Sequence, residues 1–186
     1  PRTTVIVRAD GKLQAVLAFA PAKTGFPTRP LAQGKIPVVD RGEPPYLRRV
    51  SEVALLNFPA ERLLIGETIN AQGQRSGYPP HKHDDVNPPT ELPAEEVYYF
   101  RFAPSQGFGL QWLYSYDGSL DEPLALRDGD VVTMPRGYHP VVAAPGYRMY
   151  YLWVLAGPER ALQASEDPAH VWIKTAQASQ SKAYPK

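Results

Sequence analysis

The 186-residue chain is long enough to bury one sizeable core, and its 20 Lys plus Arg against 19 Asp plus Glu leave a formal charge of +1. With no long basic run and no interleaving of basic and aromatic residues, a nucleic-acid partner is not expected. Cys is absent, which removes disulfides, thiolate catalysis and thiolate metal ligands, so that any metal must be held by His and carboxylate.

The 21 prolines and 14 glycines punctuate short runs rich in Val, Tyr, Phe and Leu, the pattern of an all-β sandwich or barrel. In chain order, strands are expected over 3–8 and 14–20, followed by an irregular proline-rich connector over 24–45. The chain starts at Pro1 rather than Met, which suggests that residues precede it. A short helix is expected near 59–63, then strands over 62–70, 96–102, 109–115, 131–134, 139–143 and 147–155, the last long enough to bend or bulge. Asp128-Gly129-Asp130 and Pro135-Arg136-Gly137 read as tight turns, so His139 opens a strand that faces the preceding one near a barrel mouth. The run over 149–156 is among the longest apolar stretches and is too short to span a bilayer, and no charged-then-apolar leader opens the chain. No membrane association and a cytoplasmic location are therefore expected. The expected organisation is an N-terminal piece over 1–45, a main barrel over 46–174 and a polar tail over 175–186.

The chemistry concentrates in Tyr78-Pro79-Pro80-His81-Lys82-His83-Asp84. Two imidazoles in an i, i+2 relation on an extended segment project from one face. Glu96 opens the apolar run 96–102 and His139 follows its turn, so three imidazoles and a carboxylate converge if these strands close into one barrel. Such a set suits a divalent first-row transition metal. Glu91 and Glu95 compete for the carboxylate position, although on a strand Glu96 shares a face with Tyr98, Phe100 and Phe102. A lone His-X-His is weak support for a metal site; three of the chain's four His at such positions are stronger. By alternation Lys82 faces away, Asp84-Asp85 reads as a solvated loop, and His170 caps or packs against the barrel. Tyr98, Tyr150, Tyr151, Phe100 and Trp153 at strand spacing are more often core than pocket.

These blocks, with Gly107-Phe108-Gly109-Leu110-Gln111, the stretch 127–140, Ala144-Pro145-Gly146-Tyr147 and Asp167-Pro168-Ala169-His170-Val171-Trp172, together resemble the 5-deoxy-glucuronate isomerase family of inositol catabolism, over roughly 48–173. The resemblance implies a cupin fold, in that family a bicupin whose second barrel carries the metal, with the first strands here corresponding to the closing strands of the first barrel. Most of that first barrel has no counterpart in this sequence. It implies His81, His83, Glu96 and His139 as metal ligands, because relatives place the acid directly before a Val/Ile-Tyr pair, and Zn, Mn, Fe, Ni or Co all fit such a set. It also implies an aldose–ketose isomerase acting on a small sugar acid, in which Lewis-acid polarisation assists proton transfer between neighbouring carbons. Glu96, Tyr98 and Tyr151 are the candidate proton-transfer groups, Arg136 the candidate two-point clamp for the substrate carboxylate and Gln111 a donor to sugar hydroxyls. An iron-dependent oxygenase and a non-catalytic sugar-binding or regulatory cupin are the alternatives. The exposed β edges and the proline-rich connector are compatible with a homo-oligomer.

Overall fold

The computed structural model describes residue 4 and residues 6–175. Twelve strands, all antiparallel, form the architecture. They are β1 (Val38–Arg41), β2 (Arg48–Ala54), β3 (Leu63–Asn70), β4 (Arg75–Ser76), β5 (His81–Lys82) and β6 (Glu95–Ala103), then β7 (Phe108–Tyr114), β8 (Asp121–Arg127), β9 (Val131–Met134), β10 (Val141–Ala143), β11 (Arg148–Ala156) and β12 (Ser165–Glu166). A six-stranded sheet runs β1-β2-β3-β11-β6-β9, a four-stranded sheet runs β4-β10-β7-β8, and β12 pairs with β5 across one end. No described helix is long and apolar enough to cross a membrane.

Period-two patterning decides which side chains enter the core. Along β6, Glu96, Tyr98, Phe100 and Phe102 are buried, while Glu95 and Ala103 at its two ends are exposed. Along β3, Leu64, Gly66, Thr68 and Asn70 are buried in the same alternation. The aromatic face of β6 packs with Met149 and Tyr151 of β11 and Met134 of β9 in its own sheet, and across the barrel with Leu113, Leu126, Val141 and Ala143. Phe100 and Met149 are fully sealed, and each such side chain contributes roughly 1.5–3 kcal/mol by leaving water. The upper part of the β6 face is therefore packed apolar core, and its Glu96 end opens onto the site.

Several expectations change. Among the described residues, 6–20 form no strand and none of the twelve strands pairs with them; residues 3 and 5 lie outside the description. Ile6, Leu17 and Phe19 are largely exposed there, and an extended segment without a hydrogen-bonded neighbour has nothing to hold it as a strand. The 24–45 connector is not irregular throughout, because residues 38–41 form β1 and lengthen the main sheet through β2. No helix forms at 59–63: Glu61 accepts from the backbone amides of Lys23 and Thr24, and Arg62 Nη1 donates to the carbonyls of Gly157 and Pro158, tying an irregular segment that bends at 61–62 before β3 begins. The expected tail lies outside the described residues from 176 onward. Strand β8 carries Pro123 and is an edge strand, where a missing amide donor is tolerated.

Candidate metal centre

His81 is held where β5 pairs with β12, opposite Glu166, and His83 follows two residues on. Lys82 points the other way: its Nζ donates to Glu91 Oε1 at 2.8 Å and to Asp84 Oδ1. Glu91, buried, also accepts from the amides of Asp84 and Asp85 at 2.9 Å each. Glu91 Oε1 thus shapes the loop after His83, while Glu96 is the carboxylate in contact with the imidazoles. Asp84 is not a solvated loop residue either, because it accepts from the Gly137 amide.

His139 arrives by a different route. Gly137 has φ +87°, and a Cβ there would lie 2.7 Å from the Tyr114 carbonyl oxygen, so the turn requires glycine on both counts. Paired hydrogen bonds between Tyr138 and Tyr114, at 2.8 and 3.0 Å, fasten the turn to the end of β7 and leave His139 buried between the sheets.

The three imidazoles each offer a nitrogen to one place, those atoms lying within 4.8 Å of one another. Glu96 Oε2 lies 3.1 Å from His83 Nε2 and 3.2 Å from His139 Nε2. The remaining ring nitrogens fix the tautomers. His83 Nδ1 sits 2.8 Å from the Ala94 carbonyl and His139 Nδ1 3.0 Å from the Gly137 carbonyl; a carbonyl only accepts, so both Nδ1 atoms carry the proton and, in the neutral ring, each Nε2 presents a lone pair inward. His139 Nε2 is buried and has no hydrogen-bond partner. A buried, unsatisfied lone pair beside two more imidazoles and a carboxylate is the donor set of a divalent transition metal, and hydrogen-bonded imidazoles are how proteins orient such ligands. The residues present fit the group.

The charges of the cluster are coupled. Burial, together with the neighbouring His139, pulls His81 down to about 3, so it is neutral at ordinary pH. Burial also disfavours charge on His83, but the hydrogen bond and charge of Glu96 outweigh it and raise that ring overall. Burial pushes the Glu96 carboxyl up, and the two adjacent imidazoles more than reverse this, holding it ionised down to about 2. Tyr98 and Tyr151, whose rings lie 4.5 Å apart, are pushed upward by burial and remain neutral phenols.

A cavity of about 230 Å³ opens beside the imidazoles, bounded by His81, His83, Glu96, Tyr98, Tyr151 and Trp153. That is below the roughly 300–1,000 Å³ of sites for larger ligands and suits a single small molecule. Thr68, whose Oγ1 accepts from Trp153 Nε1 at 3.1 Å, Arg48 and Arg41 complete its polar wall, with Gln163 at the rim.

Two residues singled out for substrate contact lie elsewhere. Arg136 is exposed on its turn and donates to Ser119 Oγ at 3.0 Å and to the Ser119 carbonyl at 3.3 Å; it does not border the cavity. The turn aims His139 inward and, by doing so, sends the neighbouring Arg136 outward. Gln111 is buried between the sheets, its Nε2 against Met134 Sδ at 3.0 Å, and is likewise absent from the cavity wall. Arg48 and Thr68 were not legible as site residues. Finding Arg48 requires knowing that 48–54 is a strand, and that segment has no clean apolar alternation.

An antiparallel two-sheet barrel that holds three imidazoles and a carboxylate between its sheets is a cupin with a metal-type centre. The KduI/IolB family model matches residues 1–173, and the chain belongs to that family. It is 41% identical over 167 residues to a 5-deoxy-glucuronate isomerase of Geobacillus thermodenitrificans, covering 90% of this chain and 61% of that protein. A protein of the same name from Lacticaseibacillus casei is 41% identical over 169 residues, covering 90% and 62% respectively. The chain thus spans about three fifths of the length of these curated relatives. The solved structure of an IolB-like protein from Salmonella typhimurium LT2 superposes with a TM-score of 0.74 at 41% identity, covering 76% of this chain and 54% of that one. The polyketide cyclase RemF of Streptomyces resistomycificus shares the fold at a TM-score of 0.53 and 17% identity, covering 80% of this chain and 93% of that one.

Proposed function

We propose that this protein is a metal-dependent aldose–ketose isomerase that interconverts 5-deoxy-glucuronate and 5-dehydro-2-deoxygluconate in inositol breakdown. The observation that carries the reading is the grouping of His81, His83, His139 and Glu96, three of which (His81, His83 and Glu96) line one cavity, in a chain 41% identical to proteins named for that activity. A divalent cation held by these four side chains would supply Lewis-acid polarisation of the substrate carbonyl and its neighbouring hydroxyl.

The isomerisation moves one proton from C-2 to C-1 and one from the C-2 hydroxyl to the carbonyl oxygen, with no net oxidation. Both imidazole contacts of Glu96 fall on Oε2, which leaves Oε1 as the oxygen that can hold the proton in transit between the carbons. Tyr98 and Tyr151 are neutral and face the same cavity, so their hydroxyls donate to substrate oxygens and can return a proton. Trp153 and Leu155 give the cavity an apolar flank that limits water around the enediol.

The test is an anaerobic NMR assay with 5-deoxy-glucuronate in deuterated water. Conversion to the ketose without oxygen supports the isomerase. Oxygen-dependent consumption would establish an oxygenase, and binding without conversion a sugar-binding cupin.

A further inference from the structure

Arg48 is the cation that the cavity leaves unanswered. It stands at the start of β2, half-buried, and borders both the imidazole-lined cavity and the adjoining cleft formed with Tyr78, Pro79 and Glu166. Its hydrogen bond among the described residues runs from Nη1 to the Tyr46 carbonyl at 3.2 Å, and it forms no ion pair there. The other cation on the cavity wall, Arg41, is taken: its Nη2 meets Glu52 Oε1 at 2.6 Å. The cavity's acid, Glu96, is taken as well, by two imidazoles. A guanidinium carries five donors in a planar fork, and Arg48 therefore faces the cavity with most of its donors free and its charge uncompensated.

Resting on the isomerase reading above, we infer that Arg48 is the specificity-determining residue of the cavity and binds the carboxylate of a sugar-acid substrate. His81, His83, Glu96 and Arg48 border one small cavity, so a short acyclic sugar can present its carbonyl to the imidazoles and its acid group to Arg48. A carboxylate takes two parallel hydrogen bonds from the fork, and a neutral aldose leaves the cation desolvated and unpaired, which is how the site rejects it. Arg136, bonded to Ser119 on the outside, is not available for this role.

The test compares wild type with Arg48→Gln and Arg48→Lys. KM and kcat are measured with 5-deoxy-glucuronate, and calorimetric binding of glucuronate and of glucose is measured on the metal-loaded protein, with metal content determined for each variant. Arg48→Gln is expected to raise KM about 30-fold with kcat changed by less than about threefold, to leave metal content intact and to erase the preference for glucuronate over glucose. Arg48→Lys keeps the charge without the fork and falls between, which guards against a Gln variant that fails to fold. An unchanged KM and an unchanged preference in both variants overturn the inference while leaving the isomerase in place. Arg48-dependent glucuronate binding by a wild type that does not isomerise overturns the isomerase and keeps the carboxylate site. A wild type that neither turns over the uronate nor binds glucuronate overturns both.

Discussion

Asp84 Oδ2 accepts a hydrogen bond from the backbone amide of Gly137 at 2.7 Å, joining the segment that carries His81 and His83 to the turn that delivers His139. The two halves of the imidazole cluster come from parts of the chain more than fifty residues apart, and this bond is a direct tie between them. Asp84 is in turn held by Lys82, which Glu91 anchors from the other side. A carboxylate accepting an amide hydrogen is among the stronger neutral–charged bonds available to fix a turn.

Removing that tie is expected to loosen the cluster without unfolding the barrel. Asp84→Ala should weaken metal binding about 10–100-fold, the range for partners that orient metal ligands. Competition with a chromogenic chelator measures this, and an unchanged affinity would mean that the β-barrel alone sets the geometry.

The ligands themselves should behave as a unit. His139→Ala and His83→Ala are each expected to lose both bound metal and isomerisation while retaining the far-ultraviolet circular dichroism of the wild type. A variant that keeps full turnover would remove that imidazole from the site.

Gly66 on β3 lies beneath the Trp153 indole so closely that an added Cβ would fall 2.1 Å from the ring. Trp153 flanks the cavity and donates to Thr68, so Gly66→Ala must displace a piece of the cavity wall. The expected cost is about 1–3 kcal/mol of stability, with KM for the sugar raised as well. Urea denaturation and steady-state kinetics check both, and an unperturbed urea midpoint would show that the indole moves at no cost.

Asp128 stabilises the barrel in a pH-dependent way. Its Oδ1 accepts from Arg101 Nε at 2.9 Å and from the Phe102 amide at 2.8 Å, and these bonds hold its carboxyl below the usual range. A depressed folded value means that the stabilisation is present above the ordinary Asp value of about 4 and fades as pH falls through the lower folded value. Wild type should therefore exceed Asp128→Asn by about 1 kcal/mol at neutral pH, with the gap narrowing in urea titrations carried out under acid conditions. A gap that stays constant with pH would assign the effect to something other than the charge.

How much of this was readable beforehand follows from where each signal resides. His81, His83, Glu96 and His139 were legible because strand alternation and turn chemistry are local: the β6 pattern fixes that Glu96 and not Glu95 faces inward, and Pro135-Arg136-Gly137 announces the turn before His139. The long strands β3, β6, β7 and β11 were legible for the same reason. Strands β1 and β8 were not, because edge strands with exposed faces carry little apolar alternation. Residues 6–20 have strand-like composition but no partner among the described strands, which composition does not reveal. Arg48 lines the cavity and Arg136 does not because the direction of a long side chain depends on tertiary neighbours, Ser119 for Arg136 and the cavity wall for Arg48.

The most direct test of the central claim, that isomerisation depends on a cation held by the three imidazoles and Glu96, is turnover of 5-deoxy-glucuronate under anaerobic conditions before chelation, after chelation and after metal is restored, with metal content measured at each stage. The expected result is a stoichiometric divalent metal whose removal abolishes turnover and whose return restores it. Full turnover by the metal-free protein would contradict the claim.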